Sequence, residues 1–377
     1  MKRIKHGMIG GGLGAFIGDA HRRASRICND YELVAGVFDS DYEKSLEFAA
    51  IENIDLSRTY PDVDAFIKGE LDLNENERVE VVSIVTPNYL HFDASKKLLL
   101  NGFHVICDKP MTMTVAEAEE LEKLVEDTGL TFCLTHTYTG YPMVREMRRL
   151  IQEQGLLGTI QRVDAQYYQG WVNPLMHGAD THLSIWRMDP KYSGVSSCLG
   201  DIGVHAFNLI EYTTGLCTKR VLADLNKVVP EAKLDLDGNV LLQFDESCLG
   251  LIRNSQMATG EENNISIAVY GSKGSLKWEQ ENPNYLTLLT DDKPRQVYKP
   301  GNPYLTPFAA DGHTLPCGHP EGLYEAFANL YKGAARSIRG EKLLDGEFTN
   351  VVDGVRGMKF IHSAVESDKK GNIWIEI

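Results

Sequence analysis

Residues 1–137 alternate short apolar runs with longer amphipathic segments. The runs that predict strands are Ile4–Ile9, Tyr31–Phe38, Val79–Val85, His104–Cys107 and Leu130–Thr135. The segments that predict helices are Phe16–Cys28, Tyr42–Ala50, Phe92–Leu100 and Val115–Thr128. Continuous apolar strands that alternate with helices are typical of a parallel sheet covered on both faces. We therefore predict a doubly wound α/β domain of the Rossmann type over residues 1–137.

The pattern changes after a helical stretch at Met143–Gln154. Six strand-like segments follow, separated by turn residues: Thr159–Trp171, Arg220–Val229, Asn239–Phe244, Leu249–Met257, Ile265–Tyr270 and Ser275–Trp278. A helix at Ile202–Thr214 interrupts them. Such a run of strands predicts a second, α+β domain over residues 138–377 with a largely antiparallel sheet. We expect Asn282–Pro320, rich in Pro, Gly and Asn, to form a long ordered loop and Glu321–Gly340 a helix.

Composition and charge narrow the class of protein. The 377 residues suffice for two domains. A net charge of −15 argues against a nucleic-acid partner, because phosphate binding needs clustered Lys and Arg. The seven cysteines are scattered without a Cys-x-x-Cys pair, which indicates reduced thiols rather than disulfides or a zinc site. No apolar run approaches the ~18 residues of a membrane span, so we expect a cytoplasmic protein with no membrane partner.

A glycine-rich turn follows the first predicted strand. Read as G-x-G-x-x-A, it places Gly10, Gly12 and Ala15 at the positions that bind a dinucleotide, between a strand and a helix. Glycines let the backbone approach a pyrophosphate, and the helix N-terminus offers unpaired N–H groups. The extra glycines leave the register open by a residue or two, and a turn without ligand is the alternative. We expect cofactor contacts from Gly10, Gly12, Leu13, Ala15, Phe16 and Ile17.

Polar residues stand where the next two strands end. Asp39, followed by Ser40, lies a little over ~20 residues beyond the glycines, where a carboxylate accepts both ribose hydroxyls and repels a 2′-phosphate. The alternative is a solvent-exposed aspartate at a strand end. Thr86 and Asn88 close the third strand at its carboxyl end, the edge where such sheets bind ligands. This arrangement favours NAD over NADP.

Asp108-Lys109-Pro110 follows the fourth predicted strand. A lysine at the carboxyl end of a parallel strand faces the cofactor crevice, and the proline stiffens the turn. Near a nicotinamide, the ammonium group would stabilise the charge that builds on oxygen as an alcohol becomes a ketone. Taken alone, an exposed lysine in a turn is the simpler interpretation.

Asp201 and His205 open the helix predicted in the second domain. Because they are four residues apart, they share one helical face. A neutral histidine is suited to take the hydroxyl proton when a secondary alcohol loses a hydride near pH 7. The alternative is a helix-capping Asp201 beside a buried structural His205. We expect no metal, because no third ligand stands at a recognisable spacing.

Aromatic and polar residues cluster in the predicted second domain. Aromatic faces with hydrogen-bonding groups between them suit a sugar ring, although packing alone explains most of the strand tyrosines. The strongest candidates, Trp186, Arg187 and His319, lie in loop-like sequence. The predicted substrate-binding residues are Tyr138, Trp171, His182, Trp186, Arg187 and His319.

Together and in this order, these motifs resemble the Gfo/Idh/MocA family, named for glucose–fructose oxidoreductase and inositol dehydrogenase. The similarity spans nearly the whole chain and includes the segment from Thr86 to His91, the helix start at Gly200–His205 and His319-Pro320-Glu321-Gly322. It implies a Rossmann domain followed by an α+β domain whose open sheet often makes oligomer contacts, and hence a homodimer or homotetramer. It also implies a tightly held nicotinamide cofactor, with contacts from His91, Asp108, Lys109 and Pro110.

The resemblance also assigns roles to the candidate catalytic residues. In that family a Lys-Asp-His set handles the proton, and it corresponds here to Lys109, Asp201 and His205. His205 would be the base, Lys109 would polarise the reacting oxygen, and Asp201 would orient the substrate. Two departures stand out: Asp108 replaces the usual glutamate, and the glycine loop carries the insertion-like Ala15–Gly18. Together with Trp186-Arg187 and His319-Pro320-Glu321-Gly322, this loop resembles a subgroup acting on inositols, L-glucose, anhydrosugars and glycosides.

We therefore predict an NAD-dependent dehydrogenase that oxidises a secondary hydroxyl of a sugar, cyclitol or glycoside. One alternative is a redox-neutral glycoside hydrolase, which oxidises a hydroxyl transiently, eliminates the glycosidic substituent, adds water and returns the hydride. Such an enzyme needs an additional acid or base, for which Tyr138, His182 and His319 are the candidates. The other alternative is a cofactor-binding sensor that has lost its chemistry, which the presence of Lys109, Asp201 and His205 disfavours.

Overall fold

The structure is a computed structural model that describes residues 2–176, 185–244 and 248–377. The chain divides into two compact units: Met1–Gly140 with Leu323–Val355, and Tyr141–Gly322 with Arg356–Ile377. The strands are β1 Ile4–Gly10, β2 Tyr31–Val37, β3 Val81–Val85, β4 His104–Cys107, β5 Phe132–Leu134, β6 Ile160–Tyr168, β7 Arg220–Asn226, β8 Asp237–Gln243, β9 Leu249–Ser255, β10 Asn264–Gly271, β11 Ser275–Glu279, β12 Leu286–Thr290, β13 Lys293–Tyr298 and β14 Ile375–Glu376. The α-helices are α1 Phe16–Cys28, α2 Tyr42–Ile51, α3 Val63–Leu71, α4 His91–Leu100, α5 Val115–Thr128, α6 Pro142–Gln152, α7 Val172–Met176, α8 Pro190–Ser193, α9 Val204–Thr214, α10 Pro307–Asp311, α11 Leu323–Ile338 and α12 Val351–Lys369. Within the described ranges, no helix is both long and apolar enough to cross a membrane.

The first unit contains a five-stranded parallel sheet in the order β2-β1-β3-β4-β5. Every residue of β3 and β5 is buried, as their apolar sequences predict. The strand order reverses between β1 and β3, which is where doubly wound sheets bind ligands. The predicted Rossmann fold is confirmed, and α1, β4 and α5 have their predicted bounds.

Helix α11 belongs to the first unit, although it comes late in the sequence. Its residues Tyr331 and Ala334 share one hydrophobic cluster with Ala20 and Ala24 of α1. The sequence-based division assigned every residue after 137 to the second domain, so the structure differs from it over Leu323–Val355. An amphipathic pattern shows that a helix buries one face, but it does not show which sheet or helix that face packs against.

A buried polar network connects α11 to the sheet and to α1. The Tyr331 hydroxyl lies 2.6 Å from Ser83 Oγ and 2.7 Å from His21 Nδ1, and His6 Nε2 lies 2.7 Å from the same Ser83 Oγ. Burial lowers the pKa of His6 to about 3 and the pKa of His21 to about 4. Both imidazoles are therefore neutral at pH 7.

The second unit is built on a nine-stranded sheet in the order β13-β12-β11-β10-β6-β9-β8-β7-β14. Strands β6 and β9 pair in parallel, and the other neighbours pair antiparallel. Residues along β8 and β10 alternate between buried and more accessible positions, which is the pattern of strands with one covered face. The predicted α+β domain with a mostly antiparallel sheet is confirmed.

The predicted long loop at Asn282–Pro320 is wrong, because this segment contains β12, β13 and α10. Leu286 and Leu288 of β12 are buried, so this strand does show the alternation of a half-buried strand. Strand β13 is the edge of the sheet, almost entirely exposed, and it includes Pro294. Edge strands tolerate proline and charge, and such sequences look like loops.

Candidate active site

The glycine turn after β1 depends on close approaches of the backbone. Gly10, Gly11 and Gly14 have φ of 84°, 78° and 74°, a region that other residues rarely adopt. The Gly12 N–H donates to the Phe38 carbonyl oxygen at 2.9 Å, and a Cβ on Gly12 would lie 2.7 Å from that oxygen. Larger residues would therefore push this turn away from the end of β2.

The turn leads directly into the N-terminus of α1. Ala15 is the N-cap and makes no side-chain hydrogen bond to the helix, so the first N–H groups are left for another acceptor. A Cβ on Gly18 would lie 2.4 Å from Gly11 Cα, which makes Gly18 the residue of close helix–strand packing. The sequence-based register gave the third position of the motif to Ala15 and missed Gly18.

The remaining predicted residues of this turn fall into two environments. Leu13 and Phe16 are 51% and 69% exposed, which is unusual for large apolar side chains and leaves both available to a bound molecule. Ile17 instead packs against two hydrophobic clusters of the first unit. Its side chain is therefore part of the hydrophobic packing of the first unit.

Asp39 lies next to the glycine turn at the end of β2. An ideal Cβ on Gly12 would be 3.8 Å from Asp39 Cβ. Asp39 Oδ1 accepts hydrogen bonds from the Asp41 N–H at 2.9 Å and from Ser40 Oγ at 3.4 Å. The carboxylate is thus oriented by its own loop, beside the place where the glycines bring the backbone close.

Thr86 carries an unpaired hydroxyl at the carboxyl end of β3. Among the described residues, its Oγ1 is buried and has no hydrogen-bond partner. A Cβ on Gly10 would lie 3.0 Å from Thr86 Cγ2, so this threonine borders the glycine turn. Asn88 follows at the start of a short 3-10 helix, Asn88–Leu90. A buried unpaired hydroxyl beside a glycine cradle and an uncapped helix N-terminus fits the phosphates and ribose of a dinucleotide.

His91 and Asp108 connect the loops at this edge of the sheet. The buried ring of His91 places Nε2 2.8 Å from the Thr86 carbonyl oxygen and Nδ1 2.8 Å from the Pro110 carbonyl oxygen. Asp108 Oδ1 accepts a hydrogen bond from Thr135 Oγ1 at 2.9 Å. Both side chains, which we predicted to contact the cofactor, are engaged in positioning the turn that contains Lys109 and Pro110.

His136 is a residue near this turn that the sequence analysis missed. It follows Thr135, whose N–H donates to the Cys107 carbonyl oxygen at 2.9 Å as a continuation of the β4–β5 pairing. Burial, together with the charge of Lys109, lowers the pKa of His136 to about 3, so its ring is neutral at pH 7. The sequence feature that could have identified His136 is its position just beyond the end of a predicted parallel strand.

In the second unit, Asp201 lies in a π-helix, Leu199–Gly203, that continues into α9, which contains His205. The sequence predicted a helix here but not its π-helical first turn, a feature frequent at functional sites. Asp235 accepts hydrogen bonds from the N–H groups of Ser197 at 2.9 Å and Leu199 at 2.7 Å. Burial raises the pKa of this carboxyl group.

The surroundings of Asp201 bring two predicted substrate-binding residues together. Arg187 Nε lies 3.6 Å from Asp201 Oδ2, and its guanidinium lies over the Trp186 ring at 4.5 Å. Gln256, which the sequence analysis missed, donates from Nε2 to the same Oδ2 at 2.8 Å. An aromatic face, a cation and a carboxylate are therefore adjacent.

His205 is 7% exposed, and its ring centroid lies 6.2 Å from that of Tyr167 on β6. Asp201 and His205 lie in one continuous helical segment. The last turn of this segment contains no lysine or arginine. Their assignment as catalytic residues stays a prediction, as does that of Lys109 in the first unit.

The other predicted substrate-binding residues have separate environments. Trp171 donates from Nε1 to Gln169 Oε1 at 2.8 Å and packs against a small hydrophobic cluster. Tyr138 is buried in the first unit. His319 is exposed on a loop that the Glu321 carboxylate organises through the N–H groups of Thr314 and Leu315. His182 lies outside the described residues.

In the part of the chain that the structure describes, no group of three or more His, Cys, Asp or Glu side chains is arranged to hold a metal ion.

Comparison with known proteins gives two family matches. The model described as "Oxidoreductase family, NAD-binding Rossmann fold" matches residues 4–136, and that described as "GFO/IDH/MocA C-terminal domain" matches residues 144–277. The oxidoreductase YfiI of Bacillus subtilis (strain 168) is 32% identical over 384 residues, covering 100% of this chain and 97% of YfiI.

Solved structures match along the whole chain. The inositol dehydrogenase homolog from Azotobacter vinelandii in complex with NAD+ has a TM-score of 0.93 and 31% identity, covering 100% of this chain and 98% of that one. Its complex with NADH and myo-inositol has a TM-score of 0.90 and 29% identity, with the same coverage.

Proposed function

Because the chain belongs to the Gfo/Idh/MocA oxidoreductase family, we propose that it is a dehydrogenase that oxidises a secondary hydroxyl of a sugar or cyclitol with NAD. The NAD-binding Rossmann domain of that family corresponds to residues 4–136, within the first unit. When bound, NAD supplies the acceptor for the hydride. The observation that carries the proposal is the carboxylate of Asp201, oriented by Gln256 and Arg187 on the helical segment that also contains His205.

The cofactor assignment is supported by the residues around the glycine turn. Gly12 permits the close approach to the end of β2, the N-terminus of α1 has no side-chain cap, and the Thr86 hydroxyl lacks a protein partner among the described residues. Asp39 adds a negative charge that disfavours a 2′-phosphate. These features support NAD rather than NADP.

The chemistry assigned to the catalytic residues follows from their types and environments. We assign His205 as the base that accepts the substrate hydroxyl proton, since a neutral imidazole is effective near pH 7. Lys109 would stabilise the negative charge that develops on the substrate oxygen. Because His136 is neutral at pH 7, it places no second positive charge beside Lys109. Asp201 would accept a hydrogen bond from a second hydroxyl and so orient the ring.

The substrate class is supported by the groups near Asp201 and by one relative. Trp186 offers an apolar face for ring C–H groups, while Arg187 and Asp201 offer a donor and an acceptor for neighbouring hydroxyls. The inositol dehydrogenase homolog from Azotobacter vinelandii was solved with myo-inositol. A neutral polyhydroxylated ring therefore suits this chain best.

The test is a panel of cyclitols, free sugars and glycosides, each incubated with NAD and the purified protein. We expect NADH to accumulate with at least one cyclitol or sugar. Lys109→Ala and His205→Asn should abolish most turnover while NAD binding persists.

Two results would contradict the proposal. Release of free aglycone from a glycoside with catalytic NAD and no net NADH would indicate redox-neutral glycoside cleavage. Binding of NAD without reduction by any member of the panel would indicate a sensor.

A further inference from the structure

Gln256 donates a hydrogen bond to the Asp201 carboxylate, and no sequence motif marks this glutamine. We propose that Gln256 is a positioning residue that sets the orientation of the Asp201 carboxylate for the substrate. The inference rests on the proposed function, because the role of Asp201 belongs to that function.

Two side chains contact the same carboxylate oxygen of Asp201. Gln256 Nε2 donates to Oδ2 at 2.8 Å, and Arg187 Nε lies 3.6 Å from the same oxygen. The backbone of Gln256 is fixed as well, because its N–H donates to the Leu236 carbonyl oxygen and its own carbonyl accepts from the Val172 N–H. A donor on an anchored backbone defines which oxygen of Asp201 faces the protein.

Packing alone does not explain why a glutamine occupies this buried position. Its side chain is 0% exposed, and among the described residues its Oε1 has no hydrogen-bond partner. An unpaired buried acceptor costs free energy, so an apolar residue of equal length would serve the core better. The amide is what Asp201 requires, because it donates a hydrogen bond without adding a charge. A glutamate here would repel the carboxylate, and a lysine would neutralise it.

Strand β9, which ends one residue before Gln256, offers a matched control. Asn254 is also 0% exposed, carries an amide, and has an Oδ1 without a partner among the described residues. Its Nδ2 contacts Cys198 Sγ at 3.2 Å rather than Asp201. Replacing either amide with an apolar side chain makes a similar change to the interior, but only the change at position 256 removes the contact to Asp201.

The experiment compares Gln256→Met with Asn254→Leu, using the best substrate of the wild-type protein. We expect Gln256→Met to lower kcat by about 10- to 100-fold, because misplaced groups lose that much rate. Its dissociation constant for NAD and its thermal midpoint should stay unchanged or improve slightly. Asn254→Leu should leave kcat within about twofold of wild type. Gln256→Glu should move the acid limb of the pH–rate profile to higher pH, because two adjacent carboxylates share a proton.

A crystal structure of Gln256→Met decides the inference even if the proposed function fails. A changed Asp201 side-chain orientation supports it, and an unchanged orientation overturns it. Wild-type kinetics in Gln256→Met also overturn it, as do equal losses of activity and thermal midpoint in both amide variants. If instead the wild-type protein oxidises no sugar or cyclitol, the proposed function is wrong and the orientation of Asp201 is still the readout.

Discussion

The glycine turn of the first unit and the surroundings of Asp201 in the second unit are built in different ways. The turn consists of backbone at a few neighbouring positions, and its shape depends on the close approaches of Gly12 to the Phe38 carbonyl oxygen and of Gly11 to Gly18. Asp201 is oriented by side chains from distant positions, including Gln256, which is 55 residues away. A site made of local backbone is encoded in a short motif, whereas a site made of side-chain contacts is assembled by tertiary structure.

The largest effect should come from the second region. Replacing the proposed base by His205→Asn should reduce kcat by about 10²- to 10⁴-fold, the usual contribution of a general base. The affinity for NAD should remain close to that of wild type, since His205 is not among the residues that we assign to NAD binding. Steady-state kinetics with a fluorescence titration of NADH measure both quantities. If the variant retains turnover, His205 is not the catalytic base.

The next prediction tests whether the close approach of the backbone at the glycine turn determines the affinity for NADH. Gly12→Ala should weaken NADH binding by about tenfold to a hundredfold, because overpacking against the Phe38 carbonyl costs about 1–3 kcal/mol. Gly14→Ala is the control, since a Cβ there meets nothing within 4 Å and only the φ of 74° is strained. NADH titration of both variants measures the difference. Equal weakening would show that conformation, and not close approach, determines binding.

A smaller effect should follow from removing the charge of Asp39, the carboxylate that lies beside the glycine turn. Asp39→Asn should lower the preference for NAD over NADP by about tenfold, since hydrogen bonds to a charged group contribute about 1.5–3 kcal/mol. Ser40→Ala should change this preference by less than about twofold. The kcat/KM ratios for the two cofactors test this prediction, and an unchanged ratio for Asp39→Asn would place cofactor selection elsewhere.

The smallest effect concerns the stability of the first unit. The folded pKa of His21 is about 4, below the ordinary value of 6.5, so the neutral ring contributes stability that is fully present above pH 6.5 and is lost as the pH falls toward 4. Between pH 6.5 and 5.5 this loss is about 1 kcal/mol for one histidine. His21→Gln should therefore show a smaller loss than wild type in urea unfolding at the two pH values. Parallel pH dependence in both proteins would mean that His21 does not titrate on unfolding.

The same contrast explains which parts the sequence predicts. Helix α1 and strand β4 were predicted with their observed bounds because their apolar patterns are local. Gly18 was missed because its packing partner Gly11 stands outside the usual motif spacing. Gln256 carries no local signal, since its contact with Asp201 depends on how the end of β9 lies beside a π-helix.

The placement of α11 in the first unit has a consequence for synthesis. A ribosome that has released residues 1–140 has made all five parallel strands, but it has not yet made the helix that contacts Ala20 and Ala24 of α1. Until Tyr331 emerges, the hydroxyl that bridges His21 and Ser83 is missing from the nascent chain. The cofactor-binding half, although first in the sequence, is therefore completed late in translation.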